Sequence, residues 1–374
     1  MGKRILAFLI FFIFYCSPVS AEVIHLKSGK IVEGKIVEQT DQFIKIDTGI
    51  GVPVTFYHDE INFFETKISS EEQPLLQLAN NNDLPAVSPS IFLIGQDVRS
   101  IDDFMAALKD FPSTKELHTP DGIMAYTAIN DVRGLSEPVD HGAGVNYTDE
   151  LFRKYPKVQI VQIGLYMKYM LKEVVQGGLD ENINQLGQWI KSCGKRVYLR
   201  VGYEFDNPDN DYDPEQYVKA YRYIVDRIKK LAVPNVYFVW HTIAWKAQDW
   251  PAYDPMKWFP GDSYVDWVGI SFFDSQRDEE RDAAAELARK INKPLMIAES
   301  SPFNQYSVEG KLQWIKKLFE YIRVNKASFL SYINVNWDEL PLFKAEKWGD
   351  ARLENNPVLL EEFLKQIEQF RSGH

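Results

Sequence analysis

The stretch "KPLMIAESSP" (293–302) combines the pattern of a buried strand with a carboxylate at the strand's end. The apolar residues Leu295 to Ala298 have the composition of a strand covered on both faces, and Glu299 follows them directly. A charged group at the end of a buried strand costs free energy unless it is paired or used. The stretch therefore predicts a strand of a covered sheet and a candidate site residue.

Seven further apolar runs of strand length recur before and after this stretch, separated by segments with helical spacing. They are "SIFLIG" (90–95), "GIMAYTAI" (122–129), "VQIVQIGL" (158–165), "RVYLRVG" (196–202), "NVYFVWH" (235–241), "VDWVGISFF" (265–273) and "FLSYINVNW" (329–337). Near-continuous apolar strands that alternate with helices are typical of parallel sheets. Eight such units predict an α/β fold, a (β/α)8 TIM barrel, over residues 90–374. An open doubly wound sheet is the alternative, although no Gly-rich phosphate loop follows any run.

Two of the intervening helices are legible in detail. In "DPEQYVKAYRYIVDRIKKL" (213–231), Asp213 is a helix cap and Pro214 occupies the first helical position. Apolar residues recur there every three or four positions, at Tyr217, Tyr221, Ile224 and Ile228, which predicts one buried stripe. The segment "SVEGKLQWIKKLFEYIRVN" (307–325) repeats this pattern with Leu312, Ile315, Phe319 and Ile322.

The chain before the predicted barrel has three compositional parts. Residues 1–21 carry two basic residues, a short apolar run and small residues, the order of a secretory signal peptide with cleavage expected after Ala21. Residues 22–67 alternate apolar and polar residues between turn signals, which predicts about five short strands in a small all-β, SH3-like barrel domain. Residues 68–89 are rich in Ser, Asn and Pro and are predicted to be a linker. We therefore expect an exported protein, periplasmic or extracellular, with no membrane span.

The polar residues that end the predicted barrel strands are the candidate site residues, because TIM-barrel enzymes react at that end. Glu204 ends the fourth run and Glu299 the seventh, so their side chains are expected to face each other across the barrel mouth. Two facing carboxyl groups are what glycoside hydrolysis requires. The candidate substrate-binding residues are Tyr203, His241, Trp240, Trp337 and Asp97.

The sequence resembles glycoside hydrolase family 26, best known for endo-β-mannanases, over roughly residues 90–371. The resemblance is strongest in "RVGYEFDN…DPEQYVKAYRYIVDRI", "NVYFVWH", "WFPGDSYVDWVGISFF" and "KPLMIAESS". It implies a retaining mechanism in which Glu204 is the acid/base and Glu299 the nucleophile, acting on a β-linked polysaccharide such as mannan. At two positions the sequence differs from the family pattern. Tyr203 stands where a His usually precedes the acid/base, and Phe273 stands where a Tyr usually hydrogen-bonds the nucleophile. Tyr203 is the candidate to take over one of these two roles.

Several alternatives stay open at this level. The protein could be another β-glycanase or an exo-acting enzyme of the same clan, a barrel that binds glycan without cleaving it, or an envelope protein that works through residues 22–67. The two glutamates could also be structural, each paired with a basic neighbour such as Arg200.

The net charge of −11 argues against nucleic acid and anionic membranes as partners and is compatible with a neutral oligosaccharide or polysaccharide. No spacing of His, Cys and Asp predicts a metal site, no cofactor is expected, and composition does not define the oligomeric state.

Overall fold

In a computed structural model, the structure describes residues 21–27, 30–40, 43–47, 53–57, 60–67, 90–112, 115–244, 253–273 and 278–373. The described residues fall into two compact units, one on each side of residues 68–89. The predicted signal peptide (apart from Ala21) and the predicted linker lie outside the described residues, and both stay predictions.

The N-terminal unit contains the five predicted strands. They are β1 (Ala21–Leu26), β2 (Ile31–Gln39), β3 (Phe43–Asp47), β4 (Val54–Tyr57) and β5 (Ile61–Lys67). They pair antiparallel in the order β4-β3-β2-β1-β5. Its small core consists of Ile24, Ile44, Ile46 and Ile61. Alternation along the strands puts these isoleucines on one face, as the period-two pattern predicts.

The C-terminal unit is a closed barrel of eight parallel strands, so the predicted TIM barrel is confirmed. The barrel strands are β6 (Ile91–Gly95), β7 (Gly122–Ala128), β10 (Ile160–Tyr166), β11 (Arg196–Val201), β12 (Val236–Thr242), β13 (Trp267–Phe272), β14 (Leu295–Ser300) and β15 (Phe329–Ile333). A short hairpin of β8 (Val139–Asp140) and β9 (Val145–Asn146) lies in the connection after β7. Each of the eight apolar runs quoted above contains most of one barrel strand.

Helices cover the outside of the barrel. They are α1 (Val98–Asp110), α2 (Thr148–Lys154), α3 (Leu171–Val175), α4 (Asp180–Ser192), α5 (Pro214–Lys230), α6 (Asp278–Lys290), α7 (Val308–Asn325) and α8 (Pro357–Ser372). The helix α5 begins as predicted, with Asp213 accepting a hydrogen bond from the backbone of Gln216 and Pro214 at the first position. The predicted α5 stripe is fully buried. In α7 the three later stripe residues are buried, and Leu312 is partly buried against the same core.

Alternation along the strands divides the barrel core into two layers. Outward residues such as Phe238, Trp240 and Ile270 pack against the helices, whereas inward residues such as Met124 and Tyr198 fill the barrel interior. Aromatic rings close the lower part of the interior, where Tyr198, Trp267 and Phe329 pack with centroids 4.7 to 5.9 Å apart. The upper part of the interior instead carries polar side chains. Among the described residues, no helix has both the length and the apolarity needed to cross a bilayer.

Candidate active site

Glu204 and Glu299 both lie at the carboxyl ends of barrel strands and are both 7% exposed. Glu299 is part of β14, and Glu204 follows β11 by three residues. These strands are three steps apart in the ring, as the sequence predicts. The charge of Glu299 acts on the ionisation of Glu204, so the two carboxyl groups share one electrostatic environment.

Two donors hold Glu299 through one of its carboxylate oxygens. The Tyr126 hydroxyl donates to Oε1 at 2.8 Å, and Arg200 donates to the same oxygen through Nη1. Arg200 is fully buried, and its guanidinium lies 5.0 and 5.2 Å from the ring centroids of Tyr126 and Tyr203. The second oxygen, Oε2, accepts no hydrogen bond from any described residue. Arg200 and Tyr126 therefore fix the carboxylate while one oxygen stays available for chemistry.

This arrangement bears on the alternative that both glutamates are structural residues paired with basic neighbours. Arg200 does form an ion pair with Glu299, as that alternative required, but no ion pair with a basic residue is seen for Glu204 in the described part of the chain. An arginine that donates to only one oxygen of a carboxylate orients the group and leaves the second oxygen available to react. The ion pair thus supports a positioned Glu299.

Glu204 is held by neutral donors. Ser271 Oγ donates to its Oε1 at 2.6 Å, and Asn207 Nδ2 donates to its Oε2 at 2.9 Å. Burial first and the negative charge of Glu299 second raise the pKa of Glu204 to about 8, against the two hydrogen bonds, which lower it. Glu204 is therefore mostly protonated at neutral pH, which is the state that a proton donor requires.

A chain of hydrogen bonds connects the two glutamates beneath the mouth. Arg200 Nη1 lies 3.2 Å from His241 Nδ1, and His241 Nε2 lies 3.0 Å from Ser271 Oγ. Burial and the nearby Arg200 charge hold the pKa of His241 well below its usual value, so the ring is neutral. Because arginine can only donate, Nδ1 accepts and the single ring proton sits on Nε2. The Ser271 hydroxyl is thereby left to donate to Glu204.

The backbone conformation of the loop after β11 positions Glu204. Gly202 and Glu204 both have positive φ, 57° and 49°, and for the glutamate this is a conformation that L-residues rarely adopt. Asn210, which is buried, donates to the carbonyls of Tyr203 and Glu204 at 2.9 and 3.0 Å. Strain of this kind persists where surrounding contacts over-determine it, as is common at functional sites.

A glycine on the third barrel strand makes room for the groups under Glu299. A Cβ at Gly164 would lie 2.6 Å from Tyr126 Cδ1 and 2.8 Å from Arg200 Nη2. Both distances are far below van der Waals contact. Gly164 therefore permits the close approach of the two donors.

The predicted substrate-binding residues have different positions in the structure. Tyr203 is half-buried at the mouth, its ring 5.7 Å from Tyr126 and 6.4 Å from Tyr166, and its hydroxyl has no described partner. Asp97 accepts a hydrogen bond from the backbone of Ser100 and caps α1, so it has a structural role whatever else it contacts.

Three of those predictions do not fit the structure. Trp240 points outward and stacks on Phe205 at 4.6 Å in the helix-facing layer, because its strand position has the outward parity. His241 points inward, but it is fully buried and both ring nitrogens already have protein partners. Trp337 is only 2% exposed, beneath Phe343 and Trp348, so it offers a substrate little ring surface.

The tyrosine that contacts the nucleophile position is also not the one suggested by sequence. Tyr126 donates to Glu299, and Tyr203 does not. Phe273 packs 5.6 Å from Trp348 and takes no part in the contact. Tyr126 and Ser271 were missed because each lies inside an apolar run instead of after it. A hydroxyl side chain within a buried strand was the available signal.

Comparison with known proteins places these residues in a family. A family model described as "Glycosyl hydrolase family 26" matches residues 202–338, which contain both glutamates. A "Beta-1,3-xylanase" from Alcaligenes sp is 30% identical over 304 residues, covering 74% of this chain and 62% of the relative. "Beta-1,3-xylanase TXYA" from Vibrio sp is 30% identical over 309 residues, covering 73% and 64% respectively. The chain thus spans somewhat under two thirds of the length of both relatives.

A solved structure agrees with the fold. The GH26 beta-mannanase BoMan26A from Bacteroides ovatus superposes with a TM-score of 0.52 at 13% identity, covering 80% of this chain and 92% of that one. At this identity the likeness concerns the fold alone. Within the described residues no three His, Cys, Asp or Glu side chains gather as potential metal ligands. Residues 202–338 thus match glycosyl hydrolase family 26, the family that the sequence around Glu204 and Glu299 resembles.

Proposed function

We propose that the barrel is a retaining β-glycan hydrolase in which Glu299 is the nucleophile and Glu204 the acid/base. The observation that carries the proposal is the contrast between the two carboxyl groups. Glu299 receives a guanidinium and a phenol on one oxygen, whereas Glu204 receives only neutral donors and has its pKa raised to about 8. Carboxyl groups whose environments differ in this way are suited to opposite roles.

In the first step Glu299 Oε2 attacks the anomeric carbon as the glycosidic C–O bond breaks. Glu204 gives its proton to the leaving oxygen, and a glycosyl-enzyme ester forms. The charge of Glu299 is lost in that ester, so one of the causes that raise the pKa of Glu204 disappears. With its pKa lowered in this way, Glu204 stays ionised in the intermediate and can accept the proton of the incoming water, which releases the sugar and restores Glu299.

The aromatic side chains beside the glutamates suit a sugar. Tyr126, Tyr203 and Tyr166 follow one another at the mouth, and Tyr166 is 37% exposed. Sugar rings present C–H faces that pack on aromatic rings, and the free Tyr203 hydroxyl can bond a sugar hydroxyl. We place the substrate against Tyr203 and Tyr166.

For the substrate we favour β-1,3-xylan, because two curated relatives at 30% identity are named for that activity. Mannan is the second candidate, on the sequence resemblance to a family best known for β-mannanases. The test incubates the protein with β-1,3-xylan, β-1,4-xylan, mannan and mixed-linkage glucan and measures new reducing ends.

Release from one polymer that is lost in both Glu204→Gln and Glu299→Gln is the expected result. Saturable binding without release would instead favour a glycan-binding barrel. Release that persists at wild-type rates in both variants would remove the two glutamates from the mechanism.

We also propose that the protein is exported, on the composition of residues 1–21. The intact mass of protein purified from the producing cells should correspond to a chain that starts at Glu22. A mass that retains the first 21 residues would contradict this.

A further inference from the structure

The direction of Glu299 does not follow from simple strand alternation. On β14, Leu295 and Ile297 face the helices, whereas Met296 and Ala298 face the barrel interior. Alternation alone would send the next side chain, Glu299, outward into the apolar layer under the helices. Its contacts with Tyr126 and Arg200 show that it instead faces the barrel axis.

A β-bulge in β14 causes this reversal. In the pairing of β13 with β14, Ile270 lies opposite Ile297, but the next residue, Ser271, lies opposite Glu299. Ala298 is the extra residue, and it pairs with no residue of β13 or β15. A bulge of this kind re-aims the following side chain. Glu299 thus takes the same inward direction as Ser271.

Ala298 has no register partner on either neighbouring strand, and a side chain from the opposite wall donates a hydrogen bond to its carbonyl. Gln162 lies on β10, four steps from β14 in the eight-stranded ring. Its Nε2 donates to the Ala298 carbonyl oxygen at 2.7 Å, and its Oε1 accepts from Ser331 Oγ at 3.2 Å. Because a carbonyl can only accept, the amide orientation is fixed by this contact.

Burying the amide of Gln162 in these surroundings costs free energy unless the amide is hydrogen-bonded. The side chain is fully buried, and its register partners on the neighbouring strands are Met124 and Tyr198. A buried amide in an apolar layer costs free energy that its hydrogen bonds must offset. An apolar residue of the same length would fill the space equally well but would leave the Ala298 carbonyl without its donor.

We propose that Gln162 is a positioning residue for the nucleophile: it holds the bulge at Ala298 that turns Glu299 toward the substrate. The inference rests on the proposed role of Glu299. Gln162 does not touch the reacting atoms, since its hydrogen bonds go to the backbone of Ala298 and to Ser331.

Two substitutions of similar size separate positioning from packing. Gln162→Met removes the donor and keeps the volume, so the bulge loses its contact and Glu299 becomes less well aimed. Gln162→Glu restores the donor while its carboxyl is protonated and loses it on ionisation. Met124→Leu is the matched control, because Met124 lies in the same layer as the register partner of Gln162.

The readouts are kcat, KM, the unfolding midpoint and the rate of covalent labelling of Glu299. The labelling reagent is a 2-deoxy-2-fluoro β-1,3-xylobioside with a dinitrophenyl leaving group. If mannan is the polymer cleaved, the corresponding β-mannobioside replaces it. Misplacing a reacting group by an ångström can cost on the order of 100-fold in rate. We expect Gln162→Met to lower kcat and the labelling rate together by about 10- to 100-fold, with KM changed by less than about 3-fold. Gln162→Glu should approach the wild-type rate at low pH and lose it as pH rises.

The outcomes distinguish the two proposals. Wild-type labelling of Glu299 with an equal rate in Gln162→Met would overturn the positioning role and leave the proposed function intact. A wild-type protein that is never labelled at Glu299 would overturn the function itself. If Gln162→Met does not fold, the test is the rate of Gln162→Glu relative to wild type at each pH. A relative rate loss that does not change with pH would refute the inference.

Discussion

The pKa of Glu204 should fall when the charge opposite it is removed. The pKa is raised from an ordinary 4.5 to about 8, first by burial and second by the charge of Glu299. That difference corresponds to about 5 kcal/mol in favour of the protonated form. Glu299→Gln removes only the second cause, so the pKa should drop below 8 and remain above 4.5.

The measurement is a pH titration of the Glu204 carboxyl by carbon-13 NMR in Glu299→Gln and in the wild type. In the wild type, the basic limb of kcat/KM should fall near pH 8, because that limb reports the acid of the free enzyme. Glu320→Gln, at an exposed position in the C-terminal half of α7, removes the same charge on the side of the barrel away from the mouth and should leave the titration unchanged. A pKa that is unaltered or higher in Glu299→Gln would refute the electrostatic coupling.

The same pKa makes a prediction about stability. A carboxyl whose pKa is raised on folding contributes stability that is fully present below about pH 4.5 and is lost as pH rises through about 8. Glu204→Gln removes this ionisation. Its unfolding midpoint relative to wild type should therefore be higher at pH 8.5 than at pH 4.5, as differential scanning calorimetry can test. A difference that does not change with pH would contradict the raised pKa.

Three further substitutions test the groups around the two carboxylates. Tyr126→Phe removes one of the two donors to the nucleophile and should lower kcat by about 10-fold or more, on the order of one charge-assisted hydrogen bond; an unchanged kcat would mean that Arg200 alone suffices. Ser271→Ala removes a hydrogen bond that lowers the pKa of the acid/base, so the basic limb should move to higher pH, whereas a shift to lower pH would contradict the assigned donor direction. Gly164→Ala places a methyl group against Tyr126 and Arg200, so it should lower the free energy of unfolding by about 1–3 kcal/mol and also lower activity. Full activity in a stable variant would show that the site tolerates the displacement.

The sequence alone determined the barrel and the two catalytic candidates. Eight apolar runs, spaced by amphipathic segments, correspond to the eight strands of the closed ring. The periodicity of helices and strands is a local property, so the residues of α5 and β14 reveal it without knowledge of their neighbours. Glu299 was identified because it directly follows such a run, and Glu204 because only Tyr203 separates it from one. Chain position was enough for this, since parallel strands all end at the same side of a barrel.

The tertiary structure alone decided which other side chains join them. Tyr126 and Ser271 lie inside apolar runs, and only the ring of strands shows that they meet Glu299 and Glu204. Trp240 lies near the end of a barrel strand, but side chains alternate along the strand and its position faces the helices instead of the barrel interior. Parity also fails to predict the direction of Glu299, because the bulge at Ala298 shifts the register by one residue. A bulge arises from pairing between strands that are distant in sequence, so no local pattern contains it.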